Sequence, residues 1–128
     1  MSHEVVHPKS VHSTAGVGYS HAARFGDMIY LAGQIALDPA GQLVGAGDIE
    51  AQTIQVFSNI DAILDELGSS MANIMKMTTY LTRREDLDGF RRTRAKMVRD
   101  PFPPNTLLFV SGLAHPDYLV EIECIAHL

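Results

Sequence analysis

Apolar positions in this chain recur with two periods. Met28-Ile29-Tyr30-Leu31-Ala32-Gly33-Gln34-Ile35 is a strongly apolar run, and Tyr19–Phe25 precedes it across the turn dipeptide Gly26-Asp27. Together they predict a hairpin. Val5 and Val6 suit a short edge strand, which Pro8 limits, and Ser13–Gly18 reads as a loop. Asp38-Pro39-Ala40-Gly41 is a second turn signal. Val56, Ile60, Ile63 and Leu67 then recur at spacings of three and four, with Phe57 and Leu64 widening the stripe. That pattern predicts an amphipathic helix of about five turns, started by Asp48 as N-cap and ended by Gly68.

Ile74–Leu81 reads as a strand and Asp86–Arg99 as a second helix, whose face carries Leu87, Phe90, Arg94 and Met97. Asp100 and prolines 101, 103 and 104 stop it. Thr106–Ser111 and Tyr118–Ala126 are the last strands. In the latter, Val120, Ile122, Cys124 and Ala126 face one way and Leu119, Glu121, Glu123 and Ile125 the other. The expected fold class is α+β, a two-layer sandwich with two helices on one face of a sheet. The second face of that sheet looks too apolar to meet water, which points to self-association.

Length and composition set limits on these readings. A chain of 128 residues fits one domain and has little room for a deep pocket of its own. Its net charge of −5 argues against nucleic acid or anionic lipid as the main partner. A single cysteine, Cys124, excludes an intrachain disulfide and a multi-thiolate zinc site. No run approaches a membrane span, and Met1–Ser13 lacks the pattern of a signal peptide, so a cytoplasmic location is expected.

Five features carry candidate chemistry. Glu121 and Glu123 share a strand face; each is either a solvated acid or a pocket carboxylate that places a water. Arg94 falls on an otherwise apolar helix stripe, where it must reach the rim or an anionic partner. Asn105 follows a proline pair at a strand start and could offer an amide to a ligand. Tyr19 follows Gly16 and Gly18 and could close a pocket. Gly33, inside a strand, marks close approach by a ligand or another backbone. The six histidines show no metal spacing, and His3, His7 and His12 lie in a polar start read as loose. Cys124 alternates with buried positions and reads as core.

The order of these pieces resembles a known family. Tyr19, the Gly26–Gln34 run, Gln52, Asn59, Lys76–Leu81, Phe90, Pro104 and Val120-Glu121-Ile122-Glu123 resemble the RidA/YjgF proteins, from about Tyr19 to Ala126. The resemblance implies a single RidA-like domain over residues 1–128 with a chorismate-mutase-like fold. It implies a homotrimer with its sheets around a central barrel and substrate clefts between subunits. It also implies hydrolysis of reactive enamines and imines without metal or organic cofactor, with a small-molecule substrate as partner. Glu121 matches the family glutamate that helps place water, Tyr19 the pocket tyrosine, and Gly33 the pocket glycine of Ser-Gly-Gln, whose serine is Ala32 here. Leu107 takes the place, usually cysteine, whose backbone borders the site.

One position departs from the pattern. The arginine that binds substrate carboxylate in typical members is replaced by Asn105. Losing a charge-assisted contact of this kind costs roughly 1.5–3 kcal/mol. Typical 2-iminoacid deamination is therefore expected to be weak or absent. Arg94 stands where typical members have a pocket-edge asparagine, so it is expected to hold an anionic or polar substrate in a shifted pose. The readings are an altered-specificity hydrolase, a non-catalytic metabolite-binding or chaperone-like trimer, and, with least support, a ribonuclease.

Overall fold

The computed structural model describes residues 2–128. β1 (Glu4–Val6), β2 (Ala22–Phe25) and β3 (Met28–Gln34) precede α1 (Ile49–Glu66). β4 (Ile74–Leu81), α2 (Leu87–Met97), β5 (Asn105–Phe109) and β6 (Val120–His127) follow. They form one mixed six-stranded sheet in the order β1-β2-β3-β6-β4-β5. β4 and β5 run parallel, joined by the crossover through α2, and the remaining pairs are antiparallel. The α+β architecture with two helices on one face stands as read from the sequence.

Local chemistry explains the element ends. The Asp48 carboxylate accepts from the Ala51 N–H at 3.1 Å and so caps α1. Beyond Leu67, Gly68 takes φ +82° and lets the Ser69 N–H return to the Leu64 carbonyl at 2.8 Å. Val56, Phe57, Ile60, Ile63 and Leu64 of α1 are fully buried against Ile29, Met77, Leu81, Ile122 and Phe90. Two motif amides on α1 hold loops to the core. Asn59 donates to the carbonyls of Ile35 (3.0 Å) and Leu37 (2.9 Å). Gln52 donates to Asp117 O (2.9 Å) and accepts from the Leu119 N–H (2.9 Å).

Three expectations change. The strand expected over Tyr19–Phe25 begins at Ala22, because the pairing that continues it stops with the Ala32 N–H to His21 carbonyl bond at 2.8 Å, where β3 bulges. The polar start is packed: Val11, His12 and Thr14 are buried, and the Lys9 and Ser10 N–H groups donate to the Glu66 carboxylate. The face of the sheet away from the helices is mixed. Tyr30 (50% exposed), Leu108 (45%) and Phe25 lie on it in the apolar manner expected. Its middle, however, carries Lys76, Thr106, Tyr80, Glu121 and Glu123, so it is not uniformly apolar.

Candidate functional site

Alternation along β6 sends Val120, Ile122 and Cys124 into the core and leaves Glu121 and Glu123 half-buried on the open face. β3 runs antiparallel beside β6 and bulges between Leu31 and Gln34. The bulge lets Gly33 receive the Glu121 carboxyl group directly. A methyl group at Gly33 would meet Glu121 Cδ and Cγ at 2.8 Å, closer than carbon atoms pack. The sequence pointed to a ligand or another backbone as the group approaching Gly33; within the chain the group that comes close is the Glu121 side chain.

Burial pushes the Glu121 pKa above the usual carboxylate value, and the nearby Glu123 charge pushes it further. Across the sheet, the Tyr80 hydroxyl donates to Glu123 Oε1 at 2.6 Å. That bond, with some burial, raises the Tyr80 pKa. The two acids therefore differ: Glu123 is tied to a phenol, while Glu121 keeps its oxygens for a small hollow of about 370 Å³. Gly33, Tyr80, Gly112 and Leu113 share that hollow with both acids. A poorly hydrated carboxylate with raised proton affinity and free lone pairs suits general base work.

Tyr19 lies outside β2 and is 42% exposed. Burial raises its pKa, and the Glu121 charge adds to the rise, so its phenol stands within electrostatic reach of that carboxylate. Its ring meets His21 edge-on at 6.2 Å. Behind it runs a buried chain of hydrogen bonds. His21 Nε2 lies 2.7 Å from the His12 carbonyl, and the Gln34 amide nitrogen stands 3.0 Å from His21 Nδ1 and 3.2 Å from the Ala32 carbonyl. A carbonyl only accepts, so His21 donates from Nε2 and accepts at Nδ1. Gln34 thereby ties Tyr19's neighbour to the bulge that seats Glu121.

Arg94 and Asn105 meet elsewhere. Both line a hollow of about 310 Å³ between α2 and the start of β5. The Arg94 guanidinium lies over the Phe90 ring at 5.3 Å, and burial, then the Arg91 charge, lowers its pKa. Asn105 Oδ1 accepts from the Thr79 hydroxyl at 3.0 Å. Asn105 pairs in register with buried Met77, so this hollow opens on the helix side of the sheet. Glu121 is on the other side. Within one chain the structure does not bring Arg94 and Asn105 to Glu121. Leu107 is half-buried on the helix side and packs against the core. Cys124 is buried, which, with the Glu123 charge, pushes its thiol up to about 12, in keeping with a core role.

Sequence reasoning passed over Tyr80, Gln34 and His12. Tyr80 had a signal, since it shares a strand face with Lys76 and Thr78 opposite the buried Met77, Thr79 and Leu81, but its meeting with Glu123 depends on the β4–β6 register. His12 and Gln34 gave none beyond their polarity. Among the described residues no cluster of three or more His, Cys, Asp or Glu side chains is placed to hold a metal ion.

Residues 10–128 match the family described as endoribonuclease L-PSP. A RutC family protein of Pyrococcus abyssi is 35% identical over 99% of this chain and 98% of its own. The crystal structure of RidA from an Antarctic Psychrobacter superposes with TM-score 0.89 at 28% identity, covering 98% of this chain and 99% of that one. This chain belongs to the RidA/YjgF family. A further relative of the same family is a 2-iminobutanoate/2-iminopropanoate deaminase of Dermatophagoides farinae, 27% identical over 84% of this chain and 83% of its own. Gly33 and Glu121 share one hollow on the open face, Tyr19 lines a neighbouring one beside His21, and Asn105 lies on the opposite face of the sheet.

Proposed function

We propose that the protein is a RidA-like hydrolase of small reactive enamines or imines, with a specificity shifted by Asn105. The observation that carries this reading is the Glu121 carboxyl group, half-buried, raised in proton affinity and seated on Gly33. In this reaction Glu121 takes a proton from water as its oxygen bonds to the imine carbon. Glu121 passes that proton to the nitrogen, giving the carbinolamine; the carbinolamine hydroxyl then loses its proton to the nitrogen as the C–N bond breaks, so ammonia leaves and a carbonyl remains. Tyr19 closes the site, and the backbone near Gly33 supplies polar contacts. The net charge of −5 favours a small-molecule substrate over RNA. The test is ammonia release from a 2-iminoacid generated in the cuvette by an amino-acid oxidase. Because Asn105 replaces the usual arginine, we expect weak release, above the uncatalysed rate and below that of a RidA protein with the arginine, lost in Glu121→Gln. A rate equal to the uncatalysed one would turn the reading toward a binding module; accelerated release that survives the change would keep the hydrolase and remove Glu121 as its base.

We also propose that the working unit is a homotrimer with its open sheet faces inward, so that Arg94 and Asn105 of one subunit serve a cleft built with another. What supports this is the placement of Glu121 and Asn105 on opposite faces of one sheet, together with the exposure of Tyr30 and Leu108. Sedimentation equilibrium should return three times 14.0 kDa; the mass of a single chain would remove this part.

A further inference from the structure

The hollow between α2 and β5 has an unusual set of polar groups. Met77, Val98, Phe102 and Pro103 supply an apolar lining. Arg91, Arg94 and Asn105 supply the polar groups, and no acid lines the hollow. Arg91 and Arg94 stand three apart on α2, a spacing that makes them surface neighbours. Burial first, and then the Arg91 charge, bears on the Arg94 guanidinium, so the two cations feel one another. Among the described residues neither has a carboxylate within ion-pairing distance, whereas Arg92 pairs with Glu50 at 2.9 Å and Arg83 with Asp86 at 2.8 Å.

Asn105 completes the pattern. Its Oδ1 already accepts from the Thr79 hydroxyl, which leaves the NH2 group to offer. The polar side chains of this hollow are thus rich in donors: two guanidiniums and an amide NH2, against one remaining lone pair on Asn105 Oδ1. Like charges at this helix spacing are mutually unfavourable. A ligand with one negative group relieves one of them; a ligand with two relieves both. The volume of about 310 Å³ lies at the small end for ligand sites, which restricts the occupant to a short molecule.

We propose that this hollow binds a small dicarboxylate with a short apolar spine, one carboxylate on Arg94 and the Asn105 amide, the other on Arg91 at the mouth. This deepens the hydrolase reading and rests on it for one point only: the substrate is then the imine or enamine of an amino dicarboxylate. The binding itself stands without that reading.

Calorimetric titration of the full chain with succinate and with butyrate, at constant ionic strength, tests it, because the two differ by one carboxylate. Succinate should bind about tenfold tighter or better, the size of one charge-assisted contact. Arg91→Ala should bring the ratio to about one with butyrate unchanged. Arg94→Ala should weaken both. Arg92→Ala, on the same helix but paired with Glu50, should change neither. Equal affinities in the parent protein, absence of binding for both at millimolar concentration, or an Arg92→Ala loss matching that of Arg91→Ala overturns the proposal. A preserved succinate preference without ammonia release leaves a dicarboxylate site and removes the hydrolase. Ammonia release without that preference does the reverse.

Discussion

Strand β6 serves two faces of the sheet that differ in kind. Toward the helices it presents Val120, Ile122, Cys124 and Ala126, all buried in a continuous apolar cluster with α1 and Phe90. Away from the helices it presents Glu121, Glu123 and Ile125, beside Tyr80, Tyr30 and Gly33. The first face is packed to the density of a protein interior, where each missing methyl group is felt. The second holds two carboxylates in partial burial, where ionised groups are poorly solvated. Apolar packing is thus concentrated on one face and partly buried carboxylates on the other, one residue apart along the same strand.

The largest expected effect breaks the helix-side face. Ile122→Ala removes a fully buried side chain and should lower unfolding stability by about 2–5 kcal/mol, read by urea denaturation. Leu108→Ala, on the open face, should cost within about 0.5 kcal/mol in the isolated chain, as for other exposed positions. Equal losses at the two positions would erase the distinction between the faces.

A smaller effect on stability should come with a larger one on chemistry at Gly33. In Gly33→Ala the new methyl group overlaps the Glu121 side chain, which must swing toward water. Because the displaced group is a flexible side chain and not backbone, the expected cost is only about 1 kcal/mol. Better solvation should also return the Glu121 pKa toward the ordinary value, and ammonia release should fall with the carboxylate no longer seated. The pH–rate profile reads both. A variant with an unchanged acid limb and rate would show that the seat of Glu121 on Gly33 is incidental.

The two faces were also unequally legible in the sequence. Period-2 and period-3.6 apolar spacing marks buried surface directly, so β3, β4, β6 and the stripes of both helices could be read from it. The Glu121 and Gly33 positions were visible for related reasons, Glu121 as an acid on the second face of an alternating strand and Gly33 as a glycine inside an apolar run. What stayed hidden depends on register and on loops. Tyr80 reaches Glu123 only because β4 pairs antiparallel with β6. Arg94 and Asn105 share a hollow only because the β4–α2–β5 crossover lays α2 beside the start of β5. The start of the chain that carries buried His12 is tied to the end of α1 by the Lys9 and Ser10 N–H groups donating to the Glu66 carboxylate, a pairing that no apolar spacing records.

That buried histidine carries the smallest expected effect. His12 is 5% exposed, packs edge-on against His21 at 4.7 Å, and has no partner for either ring nitrogen among the described residues. Burial, and then the neighbouring His21, holds its pKa below the usual histidine value. The sign follows from proton counting. Once pH falls below about 6.5, the unfolded chain takes up this proton before the folded one does, so folded-state stability falls with it. Above that pH both states are neutral at His12 and its contribution is constant. Glu66, which grips the Lys9 and Ser10 amides, has a lowered pKa and contributes only near and below the ordinary carboxylate range, while Glu121, with its raised pKa, contributes above that range in the opposite sense, so over about pH 5–7 the histidine is read as the difference between parent and variant. In that window the urea midpoint of the parent protein should drop on acidification. His12→Phe keeps an aromatic ring against His21 and removes the titration, and should flatten that slope. An equal slope in His12→Phe would assign the acid sensitivity to another group and leave the packed start of the chain indifferent to pH.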